Sequence, residues 1–130
     1  MNNLTWHCEL VIKNDEECLG VVDCFRTHVM NRIYHDHNGN PYTNQTRVRT
    51  YVLSQFIRNY VEQITDYDNE YGYRNAMGNE LLLGALQEID FRQIAEDLIG
   101  DYSPKTAEEV AESEEYFEIM GFGNYDIDED

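Results

Sequence analysis

Apolar positions are densest between Asn79 and Ile99, in NELLLGALQEIDFRQIAEDLI. Leu82, Leu86 and Ile89 recur at helical spacing, and Leu83 and Ala85 widen the stripe. Asp90 has the chemistry of an N-cap, with Gln93 three residues on to complete a capping box. Phe91, Ile94, Ala95, Leu98 and Ile99 carry a second stripe, and Gly100 stands where a C′ residue is expected. The pattern predicts two short helices meeting at Ile89–Asp90, both pressed into the core around which the chain is organised.

Upstream, Leu4, Trp6, Cys8, Leu10 and Ile12 alternate with more polar residues, as in a half-buried strand. Leu4, Cys8, Val11 and Ile12 also fit a helix. No convincing second strand exists to pair with the first, so helix is the expectation for residues 4–13. A short strand paired across a homodimer is the rival. Asn14 and Glu17 read as the capping box of a helix running to about Tyr34, with Leu19, Val22, Phe25 or Arg26, Val29 and Ile33 on one face. HDHNGNPYTNQ, residues 35–45, is a loop by its Asn-Gly and Asn-Pro steps. From Gln45 or Thr46, Val48, Val52, Phe56, Tyr60 and Ile64 fall at steps of four, broadened by Tyr51, Ile57 and Val61. Thr65 to Gly78 is polar, rich in tyrosine and punctuated by glycine, which predicts a second loop. A last helix follows Ser103-Pro104, or Thr106 with Glu109 as its capping box, and ends near Met120. The expected architecture is mostly α. It is a compact bundle of five or six short helices over residues 1–120, with 121–130 as a frayed acidic tail.

At 130 residues and 42% hydrophobic content the chain can bury a modest core. Charge changes the picture more than size does. Nine basic residues face 26 acidic ones, a net charge of −17. Such a surface repels nucleic acid and acidic membranes, attracts basic proteins and destabilises the fold by self-repulsion. The excess is polarised. Residues 1–74 hold ten acids and seven bases, whereas 75–130 hold sixteen acids and two bases, Arg92 and Lys105. General acidification of the halophilic kind would be spread evenly.

Within the last predicted helix, Glu108, Glu109, Glu112, Glu114, Glu115 and Glu118 place six carboxylates over eleven residues. That is roughly one charge per 2.7 Å of axis, against about 3.4 Å per strand of B-DNA. Ala107, Val110, Phe117 and Met120 form a narrow stripe to dock this helix with its glutamates outward. Glu96, Asp97 and Asp101 extend the acidic patch, and Asp126, Asp128, Glu129 and Asp130 continue it. A solvated amphipathic helix is the plainer reading. Against it stands the lack of lysine at i+4, since a helix selected for stability alone pairs its glutamates.

Other constellations are weaker. Cys24 and His28 stand at i, i+4, and with His7, Cys8, His35 and His37 they offer soft metal ligands in no established spacing. Buried cysteine with surface or loop histidine is expected instead, with no metal and no cofactor. Three cysteines without a CxxC read as reduced thiols. Asp66, Asp68 and Glu70 resemble the start of a calcium loop but lack the later glycine and acid. No nucleophile–base–acid set or phosphate loop is evident, so no catalytic residue is expected and the protein is not read as an enzyme. Arg47, Arg49 and Arg58 are the only basic cluster, suited to the acidic patch of a second copy or of the same chain. Neither a secretory signal nor a membrane span is visible, and a cytoplasmic protein is expected.

Leu81-Leu-Leu-Gly-Ala-Leu-Gln-Glu-Ile and Arg92-Gln-Ile-Ala-Glu-Asp-Leu-Ile resemble small acidic proteins encoded by phages and other mobile elements. In size and acidity the chain is similar to the DNA-mimic anti-restriction and anti-CRISPR inhibitors those elements carry. The resemblance implies a stoichiometric inhibitor in the host cytoplasm that occupies the channel of a basic, nucleic-acid-binding host defence protein, without itself binding nucleic acid or membrane. Its contact set would be Glu96, Asp97, Asp101, Glu108, Glu109, Glu112, Glu115 and Glu118. The alternative is a small acidic helical adaptor, possible as a homodimer, using Tyr67, Tyr71 and Tyr73 for contacts.

Overall fold

The computed structural model describes residues 2–65 and 76–120. These form six helices and no strand: α1 Asn3–Asn14, α2 Glu16–Met30, α3 Gln45–Thr65, α4 Ala76–Glu88, α5 Phe91–Gly100 and α6 Ala107–Ile119. None is long and apolar enough to cross a membrane.

Helix wins at the N-terminus because the interior backbone groups then pair within the segment and Asn2 caps its start. Thr5 and Ile12 turn inward while Trp6 and Leu10 stay exposed, so the apparent alternation has no buried face. Asn2 caps the helix by accepting the Thr5 N–H at 2.8 Å, and its own amide donates to the Glu88 carbonyl at the end of α4. Thr5 Oγ1 accepts the Asp90 N–H. The start of α1 thus closes the α4–α5 junction. This explains why the capping box at Asp90 is half made. Asp90 accepts from Gln93 N–H as expected, but Thr5 holds the reciprocal donor and the Gln93 amide bonds Asp97 instead.

Four boundaries differ from expectation. Asp15, not Asn14, caps α2, accepting the Cys18 N–H at 3.0 Å; Asn14 ends α1, its amide on the Leu10 carbonyl. The helix stops at Met30 rather than Tyr34, because the Asn31 amide caps the Thr27 carbonyl and Gln45 clasps the Tyr34 backbone from both sides. Ile33 thus lies beyond the helix and is exposed, and Leu19 and Ile64 are exposed as well. Gly100 is the last residue of α5 instead of a C′ residue, with Asp101 as its cap. The 35–45 loop is as expected: Asp36 Oδ1 accepts the N–H groups of Asn38 and Asn40, and Gly39 supplies a φ of +83°. The tyrosine-rich stretch, the calcium-like acids and the tail fall outside the described residues, although Ala76–Gly78 are already helical.

The centre of the bundle is shared between α2, which packs against α1, α3, α5 and α6, and the second half of Asn79–Ile99, since α5 makes with α3 the most extensive pair. Phe25, Val29, Leu53, Ile57 and Ile94 are fully enclosed there. α4 contributes only Leu86 to the buried core and leans on α1.

Candidate partner-binding surface

The acidic helix α6 is held by one large residue and a frame of polar contacts. Phe117 is its only buried side chain. The ring stacks on His28 at 3.9 Å and meets Phe25 and Phe56 edge-on. Val110 and Met120 are half-buried beside it, while Ala107, expected on the docking stripe, is exposed. Thr106 begins the helix with a complete capping box, its hydroxyl accepting the Glu109 N–H and the Glu109 carboxylate accepting the Thr106 N–H.

The approach to α6 is fixed on α2. Asp23 accepts from both Arg26 and Lys105. Burial alone would raise the Asp23 carboxyl, but these hydrogen bonds outweigh it and hold it below the usual carboxylate range. Arg26 also donates to the Leu98 carbonyl at 3.0 Å and lies over the Tyr102 ring. The expected platform for α6 was Asn79–Ile99. Its seat is instead α2, with the end of α5 contributing only through Arg26 and Tyr102.

Two residues of the seat were assigned otherwise by spacing. Glu114 is not outward: its carboxylate takes the His28 Nδ1–H at 2.8 and 2.9 Å. His28 is buried rather than superficial, and that burial lowers its pKa below the ordinary value despite Glu114, with Arg32 adding to the effect. Cys24 donates to the Ser113 carbonyl at 3.1 Å. The pair once considered as ligands is thus a docking device for α6. Ser113, Glu114 and Phe117 share one face by the 3.6-residue repeat, which is the signal that reveals them.

Removing Glu114 from the outward set sharpens the rest. Glu108, Glu109, Glu112, Glu115 and Glu118 are exposed. Glu108, Glu112 and Glu115 fall within about 60° of one another, nearly opposite Phe117. Five outward carboxylates over the same eleven residues give roughly 3.3 Å of axis per charge, close to one DNA strand. Among the described residues no cation pairs with Glu108, Glu112, Glu115 or Glu118. Both bases of the C-terminal part are engaged elsewhere, Arg92 with Glu96 and Lys105 with Asp23.

The remaining candidates sit apart from this ridge. Asp97 is half-buried on α5 and bonded by Gln93; Asp101 lies near Lys13 of α1, at 3.8 Å. Both join a cluster with Glu9, whose carboxyl is raised by burial and by Asp97 against the pull of Lys13. Glu96 is exposed but paired. Among the described residues, only the α6 carboxylates Glu108, Glu112, Glu115 and Glu118 form a continuous uncompensated surface. Arg49 donates to the Arg32 carbonyl and Arg58 to Glu62, so these two do not answer the acidic set within the chain.

Burial raises all three thiols, Cys8 to about 11, the opposite of an activated thiolate. Among the described residues no three His, Cys, Asp or Glu side chains converge to hold a metal. Comparison of the chain with protein-family models, curated proteins and solved structures returns no match.

Proposed function

We propose that the protein is a stoichiometric inhibitor of the phage anti-defence kind, presenting α6 as a polyanion to a basic nucleic-acid-binding protein. The observation that carries this reading is the ridge of Glu108, Glu112 and Glu115, seated on α2 through Phe117 and Glu114 and, among the described residues, left without cations. Unpaired like charges destabilise a helix. Here Asp23, His28, Ser113 and Phe117 hold it in spite of that repulsion, so the acids are ready before any partner arrives. Pre-organised charge raises association rate and lowers the ordering cost of binding. Exposed Tyr116 and Ile119 on the same helix add apolar contact to the ionic one.

The test is affinity capture from bacterial lysate with the wild-type chain and with Glu108→Gln/Glu112→Gln/Glu115→Gln. Glu109 is left intact because it closes the capping box. Wild type should retain a protein that duplex DNA elutes, and the variant should not retain it. Equal capture by both, unaffected by DNA, would favour the adaptor reading, in which the acids only solubilise.

A further inference from the structure

A second surface lies away from α6. Between α1, the end of α3 and α4 runs an open cleft of about 280 Å³. Leu4, Cys8 and Val11 form one wall, Val61 and Ile64 another, and Leu82 a third. Among the described residues no Asp, Glu, Lys or Arg lines it. Val11 is 54% and Ile64 53% exposed, so these walls face solvent although their chemistry is that of a core.

The border of the cleft is acidic. Asp15 and Glu17, both exposed at the start of α2, lie near enough to Tyr60 and Cys18 inside the cleft for their fields to act on both. Glu88 lines a shallow depression that shares Leu4 and His7 with the cleft. Lys13, the base of α1, is drawn off to Glu9 and Asp101. An apolar floor with acidic edges is complementary to a helix carrying aliphatic residues on one face and Lys or Arg beside them. A second copy of this chain is a poor fit. Each copy carries −17, and a two-fold pairing would set the same border acids against each other.

We infer that this cleft docks a basic amphipathic helix of a partner protein. The docking is independent of α6, and failure of either surface leaves the other standing.

The probe is a designed peptide of leucine and lysine only, with leucines at i, i+3, i+4 and i+7. Controls are the same composition in scrambled order and a leucine–glutamate counterpart. Titration of the dye-labelled peptides near 0.15 M NaCl, where distant charges are screened, should raise fluorescence anisotropy with the amphipathic peptide alone. Val11→Asn with Ile64→Asn removes apolar wall at exposed positions that the fold does not need. It should weaken binding about tenfold or more, a loss of at least about 1.4 kcal/mol. Glu108→Gln/Glu112→Gln/Glu115→Gln should leave binding within about twofold. The inference is overturned if no peptide binds, if the scrambled peptide binds equally, or if the asparagine variant binds as wild type does. It is also overturned if sedimentation shows a dimer that the asparagine variant dissociates, since a second copy would then be the occupant.

Discussion

Truncation of Phe117 isolates the attachment of α6 from its charge. The side chain is 1% exposed and touches His28, Phe25 and Phe56, so Phe117→Ala empties a site with rings on three sides. Buried Phe→Ala changes cost about 3–5 kcal/mol. The ring contacts, each worth about 0.5–1.5 kcal/mol beyond area, place this one in the upper part of that range. What remains to hold α6 is the His28–Glu114, Cys24–Ser113 and Lys105–Asp23 bonds. Those are worth about 0.5–3 kcal/mol each. A domain of this length has roughly 6–20 kcal/mol in total. The body should therefore stay folded while α6 opens locally. Urea unfolding should show the loss of stability, and hydrogen exchange should show where it falls. Amides from Val110 to Ile119 should lose protection by orders of magnitude, with those in the middle of α3 and α5 retaining theirs. Phe117→Leu should recover most of the loss. A cost below about 1 kcal/mol, or protection lost evenly across α3 and α5, would refute the view that Phe117 is the anchor of an otherwise separable helix.

Other consequences can be measured on the free protein. Burial lowers the His28 pKa in the fold, so acidification protonates the unfolded chain first. Its contribution to stability should be lost as pH falls through the ordinary histidine value of about 6.5. Urea midpoints should show a steeper decline there for wild type than for His28→Gln, and equal slopes would contradict the assignment. A double-mutant cycle on Asp23→Ala and Lys105→Ala should give a coupling of about 1–2 kcal/mol; zero coupling would mean the contact does not help to seat α6. Adding NaCl should raise the melting temperature, because screening relieves repulsion among the uncompensated carboxylates; a flat or falling response would be inconsistent with that repulsion.

How much of this was legible in the chain depended on how local the cause was. α3, α5 and the capping box of α6 follow from spacing and cap residues within a few positions, and Val48, Val52, Phe56 and Tyr60 are buried as their period indicates. The strand-like N-terminus misleads because Trp6 and Leu10 are exposed, a fact decided by what α1 packs against. The half-made box at Asp90 depends on Thr5, 85 positions away. Glu114 counted as one more outward acid because its partner, His28, is 86 residues distant. Density of apolar letters located α5 in the core but overrated α4. Leu81 of α4 is strongly exposed, whereas the less conspicuous α2 touches four other helices.

Polyanion mimicry meets its most direct test in the binding of a captured partner, titrated with and without a saturating DNA duplex across a range of salt. The expected result is mutual exclusion, with affinity falling steeply and log-linearly as salt rises and with a shallower slope for Glu108→Gln/Glu112→Gln/Glu115→Gln. A ternary complex with DNA, formed with an affinity indifferent to salt, would contradict it.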